Sequence, residues 1–191
     1  TFEMNGGAIS GNLTTNGLGG AIYLDGGNAT IKNGVIQNNA ACNGGGAYLK
    51  GGTLKVEGGS FDTNIATADG GGAYVNDGNV NMTGGSFVNN EASADGGGVY
   101  ITGGNFTMNG EAALIQGNKA VMGAGVYLTG GDPLLQSGTL RENIASQDGG
   151  GIFIDQKIVE LSPVAAVNIT ANKAGHYGAG ICIVGTNGTD A

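Results

Sequence analysis

The chain has 191 residues, of which 42 are glycine and only 12% are charged, with a formal net charge of −8. Average glycine usage is about 7%, yet the two prolines and the lack of a three-residue register exclude collagen, and 40% hydrophobic residues recurring in register exclude a disordered chain. The acidic balance and scattered lysines argue against nucleic acid or an anionic membrane as partner, and no run of about twenty apolar residues offers a membrane span.

In chain order, the first recognisable pair is Ile9 and Asn12, followed by the phrase GGAIYL at Gly19–Leu24. The phrase returns as GGGAYL, GGGAYV, GGGVYI, GAGVYL and GGGIFI, and ends as GAGICI at Gly178–Ile183. Its ring falls at Tyr23, Tyr48, Tyr74, Tyr100, Tyr127 and Phe153 and becomes Cys182, with successive spacings of 25, 26, 26, 27, 26 and 29 residues. A fixed period in the twenties marks a solenoid, in which one repeat cannot bury its own apolar face without its neighbours.

Within one coil, Gly44 to Asp69, three short segments are separated by Gly-Gly or polar turns. They are Ala47-Tyr48-Leu49, then Thr53 to Glu57, then Ser60-Phe61-Asp62. Helical periodicity over ten or more residues is absent, so these alternating runs read as strands. The residues flanking each ring are apolar in every coil, from Ile22 and Leu24 to Ile181 and Ile183. Period-two geometry therefore points the flanks into the core and turns the rings outward. In the second segment Leu54, Val56, Val80, Met82, Phe106 and Met108 point in. A third interior column runs through Ile36, Phe61, Phe87, Ile115, Leu140 and Ile169.

Three residues beyond that column stands an asparagine: Asn39, Asn64, Asn90, Asn118, Asn143 and Asn172. An amide has both donor and acceptor groups, so identical amides stacked along an axis bond one another and the turn backbone. The spacing predicts a buried asparagine ladder. Two stretches depart from the pattern. Asp132-Pro133-Leu134-Leu135 replaces the second segment, where proline suits a bulge or sheet edge, and Lys157 to Val167 reads as a protruding loop or local cap.

The expected fold is all-β: a parallel, right-handed β-helix of about seven coils with three short strands per coil. At about 4.8 Å per rung the rod is on the order of 35 Å long. Residues 1–191 form a single unit, and its ends fall in mid-repeat without a polar capping helix. The expectation is a segment of a longer chain. Cys42 lies in an early turn and Cys182 in the last coil, too many rungs apart to pair.

The literal matches Gly19-Gly20-Ala21-Ile22, Phe61-Asp62-Thr63-Asn64 and Phe87-Val88-Asn89-Asn90 combine a GGA(I/L/V) phrase with an F-x-x-N phrase. That combination resembles the polymorphic outer-membrane protein repeats of chlamydiae and related bacterial surface proteins, across nearly the whole chain. The resemblance implies an extracellular or cell-surface β-helical passenger or stalk used in adhesion.

Two sets of residues are candidates for function. The aromatic stripe Tyr23, Tyr48, Tyr74, Tyr100, Tyr127 and Phe153 offers a surface for a host protein or glycan, or else a purely structural ladder. Asp69, Asp95 and Asp148, each just before Gly-Gly-Gly and equivalent to Asn43, read as turn residues bonding their own backbone. Calcium binding by Asp69 and Asp95 is the alternative, although two carboxylates fall short of its usual oxygens. No cofactor or resident metal is expected, His176 and Arg141 read as surface residues, and the oligomeric state is open. The sequence thus favours a non-catalytic stalk or binding module; the alternative is a fragment of a β-helical polysaccharide lyase or glycoside hydrolase, which needs paired carboxylates.

Overall fold

The alternation and the glycine turns build a parallel β-solenoid of about seven turns in the computed structural model, which describes residues 1–130, 133–155 and 166–185. Every strand pairing among the described residues is parallel, and each residue faces its own equivalent one period away. Tyr48 pairs with Tyr74, Tyr74 with Tyr100 and Tyr100 with Tyr127. The interior columns expected from alternation are in place: Ala47, Leu49, Leu54, Val56, Phe61, Phe87 and Phe106 are fully buried. Burying each such large side chain stabilises the rod by about 2–3 kcal/mol.

The coil has more parts than the three segments expected. The ring segment and the second segment run together as single strands at Ala47–Val56 and Ala73–Met82, bent at glycine. A fourth element follows the asparagine: Ala40–Ala41, Ile65–Ala66, Glu91–Ala92, Lys119–Ala120 and Ile144–Ala145 form a separate five-stranded sheet. Its inward residues are alanines, and Ala66, Ala92, Ala120, Ala124 and Ala145 make a small second core. Two residues are too few for alternation to be seen, which is why this strand escapes a sequence reading. Pro133 opens the strand Pro133–Arg141, a position where its missing N–H is tolerated. The cap or loop expected at Lys157 to Val167 falls mostly at residues 156–165, outside the described residues; Ala166–Thr170 is a strand paired to residues 137–141.

The three-residue glycine turn owes its composition to three different constraints. The first glycine of each phrase has positive φ, as at Gly70 (φ 70°). Where the second is glycine, a Cβ would press into the backbone of the neighbouring coil or short strand, as at Gly71, which would meet Glu91 O at 2.6 Å; Ala124 and Ala179 take this position in two later coils. The third stands over the interior column: a Cβ on Gly72 would lie 2.5 Å from Gly98 O and 2.7 Å from Phe87 Cδ1.

Candidate functional site

The asparagine column is the most completely bonded feature of the molecule. Asn39, Asn64, Asn90, Asn118 and Asn143 are fully buried. Nδ2 of Asn64 donates to Oδ1 of Asn90 at 3.0 Å and to the carbonyl of Ile36 at 2.8 Å. Oδ1 of Asn64 in turn accepts from Asn39 Nδ2 at 3.0 Å and from the Asn39 backbone N–H at 3.1 Å. The same four bonds recur at Asn90, Asn118 and Asn143. Each amide therefore spends both its donor and its acceptor capacity on the neighbouring coils. Preceding each ladder asparagine is a left-handed residue: Gly11, Asn38, Thr63, Asn89, Gly117, Glu142 and Ala171 all have positive φ. That bend aims the amide inward, and glycine or asparagine in four of the seven positions is the signal that marks it.

The aspartates form a second polar column, and their role differs from the expected one. Rather than bonding their own turn, they accept from the next coil. Asp69 Oδ1 accepts the N–H of Asp95 at 3.0 Å, Asp95 Oδ1 that of Met122 at 3.0 Å, and Asp148 Oδ1 that of Tyr177 at 2.8 Å. Asn43 does the same for Asp69 at 3.0 Å. Met122 and Tyr177 are thus members of this column that the Asp-Gly-Gly-Gly pattern does not reveal. Burial pushes the half-buried Asp95 carboxyl up to about 6, with the neighbouring Asp69 charge adding to the rise against the N–H of Met122. Among the described residues, no three His, Cys, Asp or Glu side chains come together as metal ligands.

The ring column stands on the opposite face from the core, as alternation requires, but it is not an open stripe. Tyr48, Tyr127 and Phe153 are only 9%, 6% and 5% exposed, and Tyr74 and Tyr100 are half-buried. The reason is that the rings cover one another. Consecutive centroids from Tyr23 to Phe153 lie 5.6, 5.0, 4.9, 4.8 and 5.0 Å apart, with planes within 17° of parallel. Cys182 continues this column against Phe153. Burial, reinforced by the nearby Asp95 carboxylate, pushes the Tyr127 phenol up to about 12; Tyr48, Tyr74 and Tyr100 shift the same way for the same leading reason. The aspartate column and the tyrosine column are therefore neighbours, a juxtaposition that the sequence alone does not show.

The remaining candidates are surface features. His176 Nδ1 lies 4.0 Å from Asp148 at an exposed position, and Arg141 donates to Gln116 at 3.0 Å, which itself donates to Glu142 at 2.7 Å. Cys42 and Cys182 are both free, and burial raises the Cys182 thiol, a shift that disfavours the nucleophilic thiolate. A cavity of about 170 Å³ near Leu13, Ala41, Cys42 and Thr67 has no charged lining residue. Comparison with known proteins gives no matching family model, no matching curated relative and no matching solved structure.

Proposed function

We propose that this chain is a rigid, non-catalytic rod displayed outside a bacterial cell, serving as the stalk or binding module of a surface adhesin-type protein. One observation carries the reading: the polar residues that recur in each coil are spent on holding that coil to the next. Asp69, Asp95 and Asp148 each accept a backbone N–H across a rung, and the buried asparagines bond both ways along the axis. Side chains committed in this way favour stiffness over turnover. The resemblance to chlamydial polymorphic outer-membrane repeats supports the surface setting. Within the proposal, the low exposure of Tyr48, Tyr127 and Phe153 favours the stalk role over an aromatic binding stripe; any contact with a host protein or glycan on this face falls to the half-buried Tyr74 and Tyr100.

Incubation with polysaccharide arrays, reading both retention and released sugars, tests the proposal. The expected result is no turnover of any glycan, with any retention lost when Tyr74 and Tyr100 are both changed to Ser. Turnover by the purified chain would overturn the proposal in favour of a carbohydrate-active enzyme fragment.

A further inference from the structure

Five of the six stacked rings carry a phenol, and the sixth, Phe153, does not. Neighbouring phenols in the run Tyr23 to Tyr127 have centroids 4.8–5.6 Å apart. Their strands pair in register, so each phenol has the phenol of the next coil as its stacked neighbour. Tyr74 and Tyr100 are only half-buried, so a reagent in solution reaches the stack at its middle. Beside the middle of the stack lie Asp69 and Asp95, close enough for their charge to act on the phenols of Tyr100 and Tyr127. The site thus combines partly exposed rings, a continuous stack and an acidic column beside it.

We propose that the tyrosine column is an oxidative cross-linking site, in which a one-electron oxidant joins phenols of adjacent coils as intrachain dityrosine. Each of two neighbouring tyrosines gives up one electron to the oxidant and its hydroxyl proton to a nearby base, leaving two phenoxyl radicals. The radicals combine to form one carbon–carbon bond between ortho positions. The hydrogens on those carbons then shift to the oxygens and restore both phenols. Overall two electrons and two protons leave; an oxidant of the peroxide class takes them up, hydrogen peroxide becoming water. A vacancy created at Tyr74 or Tyr100 reaches the buried Tyr48 and Tyr127 through the stack, and Phe153, which has no phenol, takes no part in coupling. The product ties each coil to the next and closes a loop of one repeat, which restricts the unfolded chain as other cross-links do.

Tyr177 is a control supplied by the molecule itself. It is 72% exposed, and its ring neighbour is His176, at 6.3 Å and tilted by 55°. Its coupling therefore joins separate chains.

The test is photo-oxidation of the intact chain with tris(bipyridyl)ruthenium and persulfate, which is reduced to sulfate. Monomers are then isolated, dityrosine fluorescence is read and cross-linked peptides are mapped. The monomer fraction is expected to fluoresce and to yield peptides joining tyrosines one coil apart, such as Tyr74 with Tyr100. Tyr177→Phe should lower cross-linked dimer and leave the monomer signal unchanged. Tyr48→Phe combined with Tyr100→Phe leaves no two phenols adjacent while keeping the rings stacked, as Phe153 does, and should abolish the monomer signal. The proposal is overturned if wild-type monomer gains no dityrosine, if the doubly substituted monomer still gains it, or if every mapped bond includes Tyr177.

Discussion

Two polar columns run the length of this rod side by side in sequence logic, and they behave differently. From Asn39 to Asn143 the asparagine column is fully buried and each amide is bonded in both directions. The aspartate column is half-buried, each carboxylate takes a single backbone N–H, and Asp95 is pushed up to about 6. The difference lies in hydrogen-bond chemistry. An amide both donates and accepts, so a stack of amides satisfies itself, whereas a carboxylate only accepts and repels its like. The first column can therefore sit in the core; the second has to stay near water.

Breaking the amide column should have the largest effect. Asn90→Leu orphans the Asn64 N–H and takes one bond each from the Asn64 amide, the Phe61 carbonyl and the Asn118 amide oxygen. The expected loss is about 3–5 kcal/mol, from several buried polar groups at about 1–3 kcal/mol each, partly relaxed. Urea unfolding followed by circular dichroism measures it; a loss under about 1 kcal/mol would mean that the ladder is dispensable. Next comes the glycine that leaves room for the ladder. Gly72→Ala sets a methyl 3.2 Å from Asn90 Cγ and 2.7 Å from Phe87 Cδ1, an overpacking cost of about 1–3 kcal/mol. The same unfolding curve should shift to a lower midpoint with its slope unchanged.

The aspartate column should respond with the opposite sign. Asp95→Asn keeps an acceptor for Met122 N–H, as Asn43 does for Asp69, and removes the charge. Because the folded-state pKa of about 6 lies above the unfolded value, folding favours the protonated acid. That contribution is complete below about pH 4 and is lost as pH rises through about 6. The variant should therefore be more stable than wild type at pH 7, by about 1 kcal/mol after allowing for solvent screening of a half-exposed group. The advantage should vanish near pH 4; paired urea curves at the two pH values decide it. The smallest effect concerns the bend that aims the amide. Ala171→Gly relieves a non-glycine residue at φ 54° just before Asn172, and should raise stability by up to about 1 kcal/mol. A thermal midpoint unchanged or lowered would show that the bend carries no strain.

Much of this was legible in the residues. The apolar flanks of the ring, the column through Phe61 and Phe87, and the asparagine three residues on all repeat in every coil, and side-chain alternation assigns each a direction. What remained hidden was short or relational. The two-residue alanine strand has no periodicity to read. The aspartates looked like self-bonding turn residues because their true partners, the N–H groups of Asp95, Met122 and Tyr177, lie 26 to 29 residues away. The outward direction of the rings followed from alternation, but not their cover, which comes from neighbours in other coils.

The sequence by itself determined the period, the parallel stacking and which residue types fall into which column, because a repeat of fixed length places like on like once each coil lies against the next. Only the tertiary structure decided what each column does there. Stacking covers the ring faces, makes the asparagines reciprocal, turns the aspartates toward the next coil, and brings carboxylates beside phenols. Those outcomes depend on distances across the rungs, set by inter-strand hydrogen bonds about 4.8 Å apart, and no single coil contains them.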